Sequence, residues 1–226
     1  MIKNISNLGD ATIYCDFGDD VNQKINTNVI RYFKSIKKQN IKGITNLTPS
    51  YNKLIISFDL DITSYDNLKK EIENIKILEI SETNQKLIKI PVCCDEEFSL
   101  DMDRLEKKLN LSKNELLAKY LDKEYFCYMT GFIAGMPFLG DIDHQLRLNR
   151  LETPRVKVPK GSVGITEQFC NIYTFESPGG WNIIGNTPVE IFNKSKEDEP
   201  TLINPGDKVL FYQITKKEFL NWNEKK

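Results

Sequence analysis

Histidine is almost missing from this chain: His144 is the only one in 226 residues. Zinc sites of the Cys₂His₂ and His₃ kinds are thereby excluded, and a histidine-dependent nucleophile would have to use that one residue. The five cysteines, Cys15, Cys93, Cys94, Cys127 and Cys170, are an odd set with no Cys-x-x-Cys pair. Neither a disulfide framework nor a metal site is expected, and the thiols read as reduced core or edge residues. An excess of one charge sign is missing too. The chain has 31 basic and 32 acidic residues, a net charge of -1, with no long block of either sign, so it carries no electrostatic footprint for nucleic acid. No apolar run approaches the roughly 18 residues of a membrane span, and the opening "MIKNISNLGDATIYCDFGDD" has no stretch long enough for a signal-peptide core. The expectation is a soluble, cytoplasmic protein without a membrane partner. A Gly-x-x-x-x-Gly-Lys-Ser/Thr loop and a Gly-x-Ser-x-Gly elbow are both absent. P-loop nucleotide chemistry therefore has no support, and Ser162 is no elbow nucleophile.

The chain is large for one domain of roughly 100 to 150 residues and comfortable for two. In "ATIYCDF" Ala11, Ile13, Cys15 and Phe17 alternate onto one face, and "KLIISFDL" does the same with Leu54, Ile56, Phe58 and Leu60; both predict strands. Between them Val21, Ile25, Val29, Phe33 and Ile36 recur at helical spacing, as do Tyr65, Leu68, Ile72 and Ile75 later. With "IKGITNLTPSY" as a third strand and "QKLIKIPV" as a last one, the order is the βαββαβ of a ferredoxin-like α/β sandwich. This domain is expected over residues 1–85, with a joint near residues 83 to 91. Leu105, Leu109 and a capping box opening at Ser112 and closing at Glu115 predict two helices between residues 100 and 121. Beyond them, short apolar runs punctuated by glycines and prolines predict a closed or nearly closed β structure over residues 86–226. The fold class is thus α+β. "NKSKEDEPTLINPGD" reads as a solvated loop before a last strand, "KVLFYQI".

Two segments could carry chemistry. "GFIAGMPFLG" is glycine-rich, but bulky residues follow its glycines; it is either a functional loop or a strand connection with Phe132, Met136, Phe138 and Leu139 in the core. "RLETPRVKVPKGSVGI" gathers Arg150, Arg155 and Lys157 beside a turn whose N–H groups could cradle an anion. If Val156 and Val158 point inward, Arg155 and Lys157 share the opposite side. The alternative is an exposed edge strand with solvated charges. Glu176, Asp141 and His144 read as surface residues.

Taken together, "TGFIAGMPFLG", "TPRVKVPKGSVGI" and "IYTFESPGGWNIIGNTP", in this order, resemble a family. It holds the B-type subunit of bacterial ATP-dependent 5-oxoprolinase, the Kip-type histidine-kinase inhibitor and the first subunit of allophanate hydrolase. "LGDATIYCDFGD" and "IPVCCDEEFSLDMDRL" extend the resemblance over essentially the whole chain. It implies a small α/β domain followed by a cyclophilin-like β-barrel, and a heteromeric complex that opens 5-oxoproline to glutamate. ATP, with Mg, would enter at the level of the complex. The implied partners are a homologous barrel subunit of the C type and a third, lactam-opening subunit. Alternatives within the family are an inhibitor docking on a sensor histidine kinase and a subunit of allophanate hydrolase or urea carboxylase type.

By the same resemblance, Arg150 and Arg155 would hold a carboxylate or phosphate, and N–H groups around Gly161 and Gly179 would stabilise charge. Ser162, Ser177 and Gly180 would line the site, with Phe132, Phe138 and Trp181 as cleft walls. The chain departs from the family pattern at four places. A family proline is Ala134, the second arginine of an Arg-Arg pair is Leu151, the arginine of Gly-Arg-Thr-Pro is Asn186, and a Gln-Thr-Gly segment reads Phe169-Cys170-Asn171.

Overall fold

Period-two alternation builds the first sheet. Strands β1 (Asn4–Asn7), β2 (Thr12–Asp16), β3 (Ile44–Pro49) and β4 (Lys53–Phe58) pair antiparallel in the order β1-β2-β4-β3. Ile13 and Cys15 on β2, with Leu54, Ile56 and Phe58 on β4, turn to one face and are buried there. Helices α1 (Gln23–Gln39) and α2 (Tyr65–Glu73) cover that face with Val29, Ile36, Leu68 and Ile72. Helix α1 opens at Asn22, whose side chain accepts from the Ile25 N–H at 2.9 Å, and α2 opens at Ser64 in the same way. Buried Asn26 donates to the Ser50 and Tyr51 carbonyls and so fixes α1 to the β3–β4 turn.

The second unit is a closed barrel. Its strands β5 (Leu87–Cys93), β6 (Glu124–Thr130), β7 (Pro137–Gly140), β9 (Ser162–Thr166), β10 (Phe169–Ile172), β12 (Asn182–Asn186) and β13 (Lys208–Ile214) run round the wall as β10-β7-β6-β13-β5-β12-β9. Strands β8 (Arg155–Val158) and β11 (Ser177–Gly179) form a separate antiparallel ribbon. Cys127, Leu139, Val163, Cys170, Ile184 and Phe211, one from each of six strands, share the interior. Helices α3 (Met102–Leu109) and α4 (Lys113–Leu121) add Leu105, Leu116, Leu117 and Tyr120 to the same core. Ser112 and Glu115 form the reciprocal cap of α4 that their spacing predicts. A short helix, α5 (Lys216–Leu220), opens with a second such box at Thr215 and Glu218.

This computed structural model describes residues 1–78, 85–197 and 199–222, and the chain divides into the units Met1–Asn84 and Gln85–Lys226. The first two residues of the joint expected near 83 to 91, and Asp198 in the expected solvated loop, lie outside the described residues. Among the described residues no helix is long and apolar enough to cross a membrane.

One expected strand belongs elsewhere. The run "QKLIKIPV" does not complete the first sheet: its strand β5 pairs with β13 and β12 in the barrel. The place beside β2 goes instead to β1, the residues "NISN". The physical reason lies in β5 itself, where Ile90, Pro91, Val92 and Cys93 are all buried. A run buried on both faces suits a barrel strand backed on each side better than the edge of a sheet whose other face is solvated.

Candidate functional site

The wall strands have a second, outward side, and it is not apolar. On β10, Cys170 and Ile172 point into the barrel core, so Asn171 points out. Register places Asn171 beside Phe138 of β7 and Gly164 of β9, and Gly164 beside Ile183 of β12. One row, Phe138–Asn171–Gly164–Ile183, therefore crosses four strands of the outer wall. A small cluster of Met136, Val158, Tyr173 and Ile183 packs above it, with Val158 contributed by the β8–β11 ribbon. Trp181 lies over Gly164, where a Cβ would come within 3.0 Å of the tryptophan Cβ and 2.8 Å of the Asn171 Oδ1. Trp181 also meets Phe138 edge to face at 5.6 Å.

Polar groups converge on this layer. Asp101 begins α3 without capping it. Its Oδ2 instead accepts from the Ile183 N–H at 2.7 Å, and its own N–H donates to the Ile183 carbonyl at 3.0 Å. Its Oδ1 accepts from Arg155 Nη2 at 2.6 Å, with the carboxylate 4% exposed. The other guanidinium nitrogen, Nη1, is buried and unpartnered, as is Ser177 Oγ. Burial raises the Tyr173 pKa; the Asn171 amide, the Trp181 backbone and the charges of Arg150 and Arg155 oppose that rise. The amide thus lies beside the phenol as its hydrogen-bond neighbour. The phenolic oxygen is also pressed against Gly179, where a Cβ would sit 2.2 Å away, so this close approach needs glycine.

The candidates from the sequence separate into two groups. Arg150, Arg155, Ser177, Gly179, Phe138 and Trp181 belong to this layer or its rim, and Gly180 accepts from the Leu151 N–H at 2.7 Å beside it. Gly161 and Ser162 play a different part. The Gly161 N–H donates to the Tyr173 carbonyl at 2.7 Å and the Ser162 N–H to Pro159 at 3.2 Å, so the turn presents neither to an anion. The Ser162 hydroxyl accepts from Asn186 Nδ2 at 3.5 Å, and that amide also donates to the Lys160 carbonyl. Phe132 walls nothing: it is 78% exposed, with a φ of 66°.

The inward pairing of Val156 and Val158 also fails. Val158 is buried, Val156 is 81% exposed, and Arg155 turns to Asp101 while Lys157 meets Glu176 in solvent at 2.9 Å. The irregular register between Ser177 and Gly179 breaks simple alternation along the ribbon.

Sequence reasoning missed Asp101, Asn171 and Tyr173 as members of the layer. Asp101 shows in the sequence only as one acid among several, and its pairing with Arg155 spans 54 positions. Asn171 did carry a signal, since it stands where the resembled pattern has glycine. Chemically, the layer can bind and orient a small polar ligand. It offers a half-paired guanidinium and a hydroxyl, beside a phenol that burial keeps protonated. Among the described residues no group of three or more His, Cys, Asp or Glu is placed to hold a metal ion.

Comparison with known proteins gives a consistent set of likenesses. The family profile described as "Carboxyltransferase domain, subdomain C and D" matches residues 3–203. The chain is 32% identical over 232 residues to the B-type 5-oxoprolinase subunit of Bacillus subtilis, covering 97% of this chain and 96% of that protein. It is 34% identical over 171 residues to the B-type 5-oxoprolinase subunit of Haemophilus influenzae, covering 76% of each. Among solved structures, TTHA0988 superposes with a TM-score of 0.81 at 28% identity over 90% of this chain. Our chain spans only 40% of that longer one.

Proposed function

Because the chain belongs to the carboxyltransferase-domain family of subdomains C and D, we propose that it is the B-type subunit of an ATP-dependent 5-oxoprolinase, opening 5-oxoproline to glutamate together with partner subunits. The observation that carries this reading is identity of 32% to a B-type 5-oxoprolinase subunit across nearly the full length of both proteins. We further read the first unit, taken as residues 1–85, as a ferredoxin-like sandwich whose fourth strand is supplied by β1. Residues 86–226 are then a cyclophilin-like barrel, and the complex works in the cytoplasm.

The outer layer of the barrel is the part of the subunit that handles substrate. Arg155 is oriented by Asp101 and offers Nη1, Arg150 supplies charge from the rim, and Ser177 offers a hydroxyl. A guanidinium whose other nitrogen is held by Asp101 keeps Nη1 in a fixed direction, which a lysine ammonium on its flexible stem cannot do. ATP with Mg belongs to the complex. The Gly161–Ser162 turn, with its N–H groups engaged within the chain, does not fit a phosphate cradle. The partners are a C-type barrel subunit and a lactam-opening subunit, and the chain alone has little or no activity.

The test is co-expression with those partners and measurement of 5-oxoproline-dependent ATP hydrolysis. Wild-type complex should turn over and the single chain should not. Arg155→Lys should lower activity sharply while the complex still assembles. A complex with no lactam-dependent hydrolysis, or an isolated chain with full activity, would refute the subunit reading.

A further inference from the structure

The even overall charge hides a local excess in the first unit. From Val21 to Phe58 the chain has no aspartate or glutamate, yet it has one arginine and six lysines. Lys53 is paired with Asp16, and Arg31 donates to the Leu78 carbonyl. Lys34, Lys37, Lys38 and Lys42 are exposed, and among the described residues no acid is paired with them. Spaced at i, i+3 and i+4, Lys34, Lys37 and Lys38 share one side of α1. An unneutralised patch of this kind draws acidic partners toward the surface that carries it.

The patch borders an apolar groove. Between the C-terminal half of α1 and strand β3 lies a cavity of about 290 Å³, lined by Phe33, Ile36, Ile41, Ile44 and Leu47, with Lys37 at the same lining. The order β1-β2-β4-β3 leaves the outer edge of β3 unpaired among the described residues. Ile44 and Leu47 stand opposite Phe58 and Ile56 of β4 and so face the helix side; the register shift between Ile44 and Asn46 lets two residues three apart do so. A protected edge usually carries a charge on the strand itself, and β3, "ITNLTP", carries none. Pro49 removes a backbone donor only at its last position. An open edge beside an apolar groove is the geometry that accepts an added strand: main-chain hydrogen bonds supply affinity, and alternate side chains enter the groove.

We propose that β3 is a docking edge for an extended, acidic segment of a partner protein, which adds one more strand to the first sheet. An apolar side chain of that segment enters the groove against Phe33, Ile44 and Leu47, and acids before and after it on the same face reach Lys34, Lys37 and Lys38. A second copy of this chain does not fit, because pairing β3 with β3 in one continuous sheet brings two lysine patches together, and like charges facing each other repel. Nucleic acid does not fit either: its phosphates would take the lysines but leave the strand edge and the groove unused. The proposal is independent of the 5-oxoprolinase reading, since it uses no residue of the barrel's outer layer.

The test uses the full chain and a fluorescent probe peptide, Glu-Thr-Glu-Thr-Leu-Thr-Glu-Thr-Glu, whose glutamates and leucine share one face of a strand. Anisotropy should show saturable binding, and the double variant Lys34→Glu, Lys37→Glu should weaken it roughly tenfold, two rim pairs being replaced by repulsion. The same variant should gain binding of the probe that has lysine at each glutamate position, which a misfolded protein would not do. Backbone N-methylation in two complementary alternate sets then tests strand addition: the set facing β3 should abolish binding, and the other should leave it within about twofold. Equal effects from both sets, or no saturation below about 1 mM, would overturn the proposal. Single-stranded DNA binding more tightly than the probe would assign the patch to nucleic acid, and a dimer lost in a β3 variant, Asn46→Pro, would assign the edge to a second copy; either overturns it as well.

Discussion

The two faces of the barrel wall are made by the same strands but follow different rules. Inward, Cys170 and Ile172 of β10 join an apolar core in which Tyr125 donates to the Tyr120 carbonyl at 2.6 Å. Outward, Asn171 of that same strand and Tyr173 just beyond it carry an amide and a phenol into a layer where Arg155 Nη1 and Ser177 Oγ are buried without partners. Inside, the Tyr120 hydroxyl has the Cys170 thiol as its hydrogen-bond neighbour. The difference shows where each requirement is met. Stability comes from filling the inside, where each buried large side chain contributes on the order of 1.5–3 kcal/mol. The outside is then free to hold groups that folding alone would disfavour, which is the usual mark of a place built for a ligand.

This contrast can be broken by mutation. The largest effect is expected inside: Phe211 is 1% exposed and packs 5.2 Å from Tyr120 and 5.8 Å from Tyr125, ring centre to ring centre. Phe211→Ala should cost about 3–5 kcal/mol in denaturant unfolding. A loss under about 1 kcal/mol would show that the interior is not close-packed.

A smaller effect is expected at the outer layer. Gly179→Ala drives a methyl into the Tyr173 oxygen and should cost about 1–3 kcal/mol, with Tyr173→Phe in the same chain restoring most of it. A Gly179→Ala protein that melts like wild type would mean that the ribbon does not press on the wall.

The smallest effect is no reaction at all. Burial pushes the Cys94 and Cys170 thiols up to about 12 and raises Cys127 as well. At pH 8 the native protein should therefore leave a thiol reagent unconsumed, while unfolded protein consumes it at all five cysteines. Rapid labelling of Cys94, Cys127 or Cys170 in the native state would contradict a sealed interior.

Local pattern made much of this fold legible. Ile13 and Cys15 against Leu54 and Ile56 announce two paired strands by alternation, and Ser112 with Glu115 announces a helix start, because both signals span only a few residues. Strand β1 was not legible: Asn4 to Asn7 alternate nothing, and their place is decided by the free edge of β2. The assignment of β5 failed for a related reason, since nothing in "QKLIKIPV" names a partner some 120 residues away. At the candidate site, Arg155 was legible through its motif. Its partner Asp101 was not, because a carboxylate that gives up a helix cap to hold a distant strand looks in sequence like any acid at a helix start. Val156 was misread because alternation holds only while the register stays regular.

The pairing of β5 with β13 has a consequence for how the barrel comes into being. These strands run parallel through seven matched positions, from Lys208 opposite Leu87 to Ile214 opposite Cys93, and β13 is also the neighbour of β6. The first strand of the barrel thus waits for the last. As the chain leaves the ribosome, β5 and β6 are two raw edges of an open sheet until residues 208 to 214 arrive, and such edges invite pairing with other chains. Closing so long a loop is also slow, because distant segments must meet before their contacts repay the lost freedom. Quality control during synthesis therefore bears on this seam more than on the site, and a ribosome that stops short of residue 208 leaves a sheet with two sticky borders where the barrel should be.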